Sequence, residues 1–203
     1  MSPKERLRGE MRERLGNVSR EEFLSQGLTA AALLIKSPFW LVHRSIFLFL
    51  SIDNSEINTR PLLEAALKEG KNVFAPGIDA GGLAFYPIYS SEGPWRRGPF
   101  GILEPERPNA AGFHEDGDSP ALIIAPGLAF DPWGNRLGRG KGYYDRFFAT
   151  LDAEARDYTA IGLCMDFQVV SGVPTGENDK KMDAILTGSL LMPVGPNYAG
   201  PPV

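Results

Sequence analysis

The chain has 203 residues, with 21 Lys and Arg against 25 Asp and Glu for a formal charge of −4, and a single cysteine, Cys164. Its length supports one large domain or two tight ones with a real hydrophobic core; one thiol forms neither an internal disulfide nor a four-cysteine zinc site, which suits a reducing, cytoplasmic setting. An acidic chain without a long basic block is a poor polyanion binder overall, so no nucleic-acid partner is expected and any anion site must be local; no apolar run is long enough to span a bilayer, and the polar, basic start lacks a secretory leader pattern.

Residues 1–15 read as a helix in which Leu7, Met11 and Leu15 form one apolar stripe at about 100° per residue. Lys4 and Arg8 fall in the same body-facing sector, whereas Arg6, Arg12 and Arg14 fall outside it or at its edge. Two cations one turn apart on that face must snorkel, pair with carboxylates or meet an anion. Ser19, with Glu22 three residues on, matches a capping box and opens a second helix that runs to about Lys36, before Pro38. Residues 45–52, short and apolar, read as a central strand buried on both faces. Thr59, Pro61 and Gly70 frame the next helix, and residues 72–75 form a strand ended by Pro76. Strand, helix, strand in that order is a βαβ unit with a parallel pair.

A further strand is expected over 83–88. From Tyr89 to Gly117 Pro, Gly and charge predominate, but Phe100, Ile102 and Leu103 are too apolar for a free tether. Residues 121–125 form the next buried strand. A helix over about 143–150 and strands near 158–164 and 184–186 complete an alternating α/β pattern. Residues 193–203, rich in Pro and Gly, are expected to be a loose tail on a single domain spanning 1–203.

The segment 126–148, PGLAFDPWGNRLGRGKGYYDRFF, carries the densest glycine of the chain, with Arg136, Arg139 and Lys141 interleaved among Gly134, Gly138, Gly140 and Gly142. Lying between a buried strand and a helix start, it fits an anion cradle of backbone N–H groups and cations, placed where ligands bind at the carboxyl ends of parallel strands. It is neither a Walker A loop nor a dinucleotide fingerprint, because five residues separate Gly134 from Gly140 and the next glycines strictly alternate. A flexible Arg-Gly loop of the RNA-contacting kind is the alternative; the apolar Leu137 and Tyr143-Tyr144 anchors count against it. Asp145, in the first turn of the following helix, is a natural magnesium ligand beside phosphates, and Asp179 in Glu177-Asn178-Asp179 is a candidate second contact. His43 and His114 have no metal-ligand spacing, and no Gly-x-Ser-x-Gly elbow occurs.

On these residues the chain resembles the 5-formyltetrahydrofolate cyclo-ligase family. The likeness is carried by Lys4 and Arg8, Ser55-Glu56-Ile57-Asn58-Thr59, Glu104-Pro105, PGLAFD at 126–131, GNRLGRGKGYYD at 134–145, Gln168, and Val173-Pro174 with ENDKKMD at 177–183. It implies a three-layer α/β fold with a mostly parallel central sheet flanked by helices, of the kind shared with sugar-phosphate isomerases and CoA transferases. It also implies ATP- and magnesium-dependent conversion of 5-formyltetrahydrofolate to 5,10-methenyltetrahydrofolate, in which the formyl oxygen is phosphorylated and leaves as phosphate.

Position by position, the resemblance implies that Lys4, Arg8 and the run Arg136, Leu137, Gly138, Arg139, Gly140, Lys141, Gly142, Tyr143 and Tyr144 contact ATP. Leu50 and Glu56, with Arg139 through Tyr143, match folate-contacting positions, with Phe100 beside them, and Glu56 suits the amino and ring N–H groups of a pterin. Asp145 and Asp179 would hold magnesium, and Arg136, Lys141 and Asp145 would act at the reacting phosphoryl group. Asn178 stands where the family often has histidine. A monomer acting on a small molecule is expected; the rival is a non-catalytic RNA- or protein-binding module on the same scaffold, which predicts erosion of Glu56, Asp145 and Asp179, all of which are present.

Overall fold

The computed structural model describes residues 1–52, 55–79, 82–98, 103–106 and 120–195. Phe100 and Ile102 lie outside the described residues, as do residues 196–203. Helix α1 (Pro3–Gly16) begins with a full capping box, Ser2 Oγ accepting from Glu5 N–H and Glu5 accepting from Ser2 N–H. Helix α2 (Arg20–Ile35) is capped by Ser19, whose hydroxyl accepts from Glu22 N–H. The chain does not stop at Pro38: Ser37 caps a short helix α3 (Pro38–Val42) that sequence reading missed, with Pro38 in the first turn, where its lost N–H has no helical partner to forgo.

Strand β1 (Ser45–Leu48) is shorter than expected, because residues 49–52 leave the sheet to wall a cavity. In helix α4 (Arg60–Lys68) the expected cap is displaced. Asn58 Oδ1 accepts from Arg60 N–H, and Thr59 Oγ1 instead takes Ser51 N–H. Strand β2 (Asn72–Asp79) continues through Pro76 and turns into the antiparallel β3 (Gly82–Ile88). Its pairing with β1 ends at Phe74, so Pro76 has only one strand neighbour, the setting in which a sheet tolerates proline.

A small hairpin, β4 (Trp95–Arg97) with β5 (Leu103–Pro105), is followed by β6 (Ala121–Pro126) and a second hairpin, β7 (Ala129–Phe130) with β8 (Arg136–Leu137). Helix α5 (Tyr143–Ala153), strand β9 (Tyr158–Leu163), a 3-10 turn (Asp166–Gln168), β10 (Ala184–Leu186) and β11 (Leu191–Pro193) complete the order. Pro193 therefore ends a strand, and Val194 N–H donates to Asp183 C=O.

Seven strands form one sheet in the order β11-β10-β9-β6-β1-β2-β3. The inner pairings are parallel, and each edge is closed by an antiparallel strand, β11 or β3. Alternating side chains load both faces. Ile46, Leu48, Leu122 and Ile124 join a core with α1 to α4, whereas Phe47, Ile123 and Ala125 join one with Phe148 and Leu151 of α5. Helices thus cover both faces, giving the three-layer α/β arrangement.

Strand order reverses at β1: the chain builds outward to β2 on one side and through β6 to β9 on the other. That reversal opens a crevice beyond the carboxyl ends of β1 and β6, where open α/β sheets place ligands. Among the described residues no helix is long and apolar enough to cross a membrane.

Candidate functional site

The crevice holds a cavity of about 370 Å³. Phe49, Leu50 and Ile52 after β1, Pro126 and Gly127 after β6, and Ile78 and Leu83 of the β2–β3 hairpin form its largely apolar wall. Its polar groups come from Glu56, Glu104 and the glycine-rich segment.

That segment is rigidly held. Asp131, 1% exposed, accepts from Trp133 N–H, Asn135 N–H, Asn135 Nδ2 and Val173 N–H at 2.9–3.1 Å. Gln168, also buried, donates its Nε2 to the Gly127 and Leu128 carbonyls, both at 2.9 Å, while its Oε1 accepts from Met165 N–H. A hairpin pinned at both of its ends counts against the flexible Arg-Gly loop reading. Gly140 and Gly142 have φ of +106° and +66°, which a side chain would strain; Gly142 in the left-handed region starts α5 and points its N-terminus at the loop.

Three ion pairs tie the site together. Arg136, its side chain 3% exposed, donates to Asp145 Oδ1 at 2.5 Å and to the Pro126 carbonyl at 3.2 Å. Arg139 donates through Nε and Nη2 to Glu56 Oε1 at 3.2 and 3.0 Å, and through Nη2 to the Ser55 carbonyl. Lys4 Nζ lies 2.5 Å from Asp179 Oδ2, which also accepts from Gly176 N–H at 2.7 Å.

Arg8 reaches the Gly138 carbonyl at 3.0 Å and Arg12 the Arg139 carbonyl at 3.3 Å, so α1 is docked on the glycine loop. The inward pair on α1 is thus accounted for: Lys4 meets a carboxylate and Arg8 a backbone carbonyl.

Two groups at this wall are buried without a hydrogen-bond partner among the described residues, Arg136 Nε and the Tyr144 hydroxyl. The third such atom, Arg96 Nε, belongs to the arginine that grips Glu104. Burial, reinforced by the Glu56 carboxylate and opposed by Arg136, pushes the Tyr144 phenol well above its usual range, so it stays a neutral donor. Burial also raises the Glu56 carboxyl above the ordinary glutamate range, with Arg139 and the Ile52 N–H pulling the other way.

A groove of about 610 Å³ adjoins the cavity, sharing Gly142 and Asp145 with it and lined on its far side by Glu177, Asn178 and Asp179. Asp145 and Asp179, 34 residues apart in sequence, therefore share one groove. Of the sequence candidates, Leu50, Glu56, Arg136, Gly138, Arg139, Lys141, Gly142, Tyr143, Tyr144 and Asp145 surround the cavity. Lys4 and Arg8 sit at its margin through Asp179 and Gly138. Leu137 is buried in the α1-side core, and Gly140 faces Arg8.

Three residues given no role from sequence prove structural to the site: Asp131, Gln168 and Glu104. Glu104 is 2% exposed and accepts from Ile78 N–H at 3.0 Å and Arg96 Nη2 at 2.6 Å, fastening the β4–β5 hairpin to the cavity wall. The signal available for each was a charged or amide side chain standing beside apolar strand residues.

A profile of the 5-formyltetrahydrofolate cyclo-ligase family matches residues 1–188. The chain is 32% identical to the 5-formyltetrahydrofolate cyclo-ligase of Mus musculus, over 91% of this chain and 93% of that protein. It is likewise 32% identical to the enzyme of the same name from Escherichia coli K12, over 88% and 97%. The solved structure of Aquifex aeolicus 5,10-methenyltetrahydrofolate synthetase is similar with a TM-score of 0.79 and 27% identity, covering 100% of this chain and 96% of that one.

Proposed function

Because the chain belongs to the 5-formyltetrahydrofolate cyclo-ligase family, we propose that it closes 5-formyltetrahydrofolate to 5,10-methenyltetrahydrofolate with ATP and magnesium, releasing ADP and phosphate. The observation that carries the reading is one cavity, at the strand-order reversal, that joins the half-buried Glu56 carboxylate to a cationic loop whose buried donors Arg136 Nε and Tyr144 hydroxyl lack partners among the described residues. Donors left unpaired at a cavity wall are costly unless a ligand brings acceptor oxygens, and a formyl group and a polyphosphate both do.

The donor set fits a magnesium-bound triphosphate. Two carboxylates on one groove suit an ion that takes one or two carboxylates and completes its shell with phosphate oxygens and water. Each carboxylate in question already holds a cation, Asp145 with Arg136 and Asp179 with Lys4. Asp145 and Asp179 would hold the metal, and Arg136 and Lys4, released from them, would pair with phosphate oxygens, so that the buried Arg136 charge keeps a partner.

MgATP supplies the phosphoryl group that turns the formyl oxygen into a leaving group. Glu56 holds the amino and N3–H edge of the pterin, and Leu50 and the apolar wall pack its ring, so that N10 faces the formyl carbon. Arg136 and Lys141 neutralise charge on the transferring phosphoryl group, and Lys4 and Arg8 close α1 over the polyphosphate. N10 then attacks the formyl carbon, the oxygen departs as phosphate, and the N10 proton passes to solvent. Positioning and charge neutralisation suffice, and no nucleophilic side chain is required.

The same reading has the protein acting as a cytoplasmic monomer on a small molecule. Cys164 is buried with its thiol pushed far up by burial, which fits a thiol without redox duty. Mixing the protein with 5-formyltetrahydrofolate and MgATP and following the near-ultraviolet absorbance of the methenyl product tests the assignment. Product is expected only with nucleotide and metal together. No product under any condition overturns the enzyme reading, and product without ATP overturns the cosubstrate.

A further inference from the structure

We propose that Arg139 is an internal stand-in for the substrate: its guanidinium holds Glu56 until the pterin's own guanidine edge replaces it, and the displaced Arg139 then serves the nucleotide phosphates. The inference rests on the reading of Glu56 as the pterin acceptor. Its basis is a match of chemical groups. Glu56 Oε1 accepts from Arg139 Nε and Nη2, two N–H groups on one planar N–C–N unit, and Glu56 Oε2 accepts from Ile52 N–H at 3.1 Å. The 2-amino and N3–H groups of a pterin are the same planar N–C–N donor pair. Oε1 already accepts both Arg139 donors and Oε2 the Ile52 N–H, so a pterin pair seated across the same carboxylate competes with Arg139 for Oε1 and displaces it.

The structure also says which partner moves. The Glu56 side chain is 11% exposed and tied to the backbone at Ile52, whereas the Arg139 side chain is 42% exposed at the cavity rim. An anion in that position needs a partner at all times, because burial disfavours its charge. Arg139 supplies one before the pterin arrives and the pterin afterwards, so Glu56 is never left bare.

Once displaced, Arg139 has lost its carboxylate while standing between Gly138 and Gly140, one residue from Lys141, on the loop read as the phosphate cradle. A polyphosphate restores its missing countercharge. Folate should therefore strengthen nucleotide binding, and by linkage nucleotide should strengthen folate binding by the same factor.

The test uses the full-length protein labelled with ¹⁵N-arginine, in which the Arg139 Nε–H resonance is identified by its loss in Arg139→Lys, or by its shift in Glu56→Gln should the lysine variant not fold. Adding 5-formyltetrahydrofolate without nucleotide should move that resonance and speed its exchange with water. By calorimetry, saturating folate should lower the MgADP dissociation constant by about fivefold in the wild type, and Arg139→Lys, which replaces the planar fork by a point charge, should lose most of that coupling. If folate binds while the Arg139 resonance stays in place, or without any change in MgADP affinity, the stand-in is overturned and the enzyme assignment stands. If folate does not bind at all, the reading of the site fails and the stand-in fails with it.

Discussion

Arg136 joins stability to chemistry in one side chain, since nearly all of it is buried and the carboxylate it pairs with, Asp145, is a proposed metal ligand. Asp145→Asn keeps an oxygen for the Arg136 hydrogen bond and removes the charge. Turnover should fall by about a hundredfold or more, the scale of losing one electrostatic group at a reacting centre, and the melting temperature should fall with it, because the buried Arg136 loses its countercharge. Normal turnover of this variant at low magnesium removes Asp145 from the metal site.

Glu56 carries a pH signature. Its carboxyl is raised in the folded protein by burial, so the folded state binds a proton that the unfolded chain has already released. The ionised form therefore costs stability as pH climbs from the ordinary glutamate range through the raised value, and acidification relieves that cost. Binding runs the other way, because the pterin edge needs the carboxylate. Folate affinity should thus weaken on acidification at a pH above the ordinary glutamate range, and calorimetry on Glu56→Gln should show this dependence flattened.

Helix α1 reaches the site from the chain's opposite end, through Lys4 to Asp179 and Arg8 to the Gly138 carbonyl. Replacing both by methionine keeps the apolar stems and removes the charges. The apparent KM for ATP should rise by at least about tenfold, since even one lost charge-assisted contact costs about 1.5 kcal/mol and two cations are removed, with the folate KM nearly unchanged; equal KM values for ATP would leave the two cations as structural pairs.

At the other helix, Gly142 starts α5 with φ +66°. Gly142→Ala should cost about 1 kcal/mol in denaturant unfolding and should also lower kcat, because it moves the α5 N-terminus against the loop. The inward face of α1 was legible in the sequence because a helical stripe is a short-range pattern, and the α5 start was legible from the glycines before it. Helix α3 and strand β11 were not: a five-residue helix is little more than one turn, and β11 ends in Pro193 at the start of a Pro- and Gly-rich stretch, so that packing on the sheet rather than local pattern stabilises them.

The sheet positions everything else, and buried polar side chains pin the segments beside its strand-order reversal. Asp131 fixes the β7–β8 hairpin and the segment at Val173 together through four accepted hydrogen bonds. Asp131→Ala leaves the buried Val173 N–H and three part-buried donors unpaired and should destabilise the fold by about 3 kcal/mol, read as a lower denaturant midpoint; a loss under about 1 kcal/mol would mean that water replaces the carboxylate.

Strand, helix, strand order, the body-facing cations of α1 and the glycine loop after β6 follow from the amino-acid order, because helical and strand periodicity, caps and glycine act over a few residues. Which cation meets which carboxylate does not follow. With 21 cations and 25 anions in the chain, the pairs Lys4 with Asp179 and Arg139 with Glu56, 175 and 83 residues apart, arise only when the sheet brings its distant segments to one crevice, since a charge's partner is set by distance in space rather than along the chain.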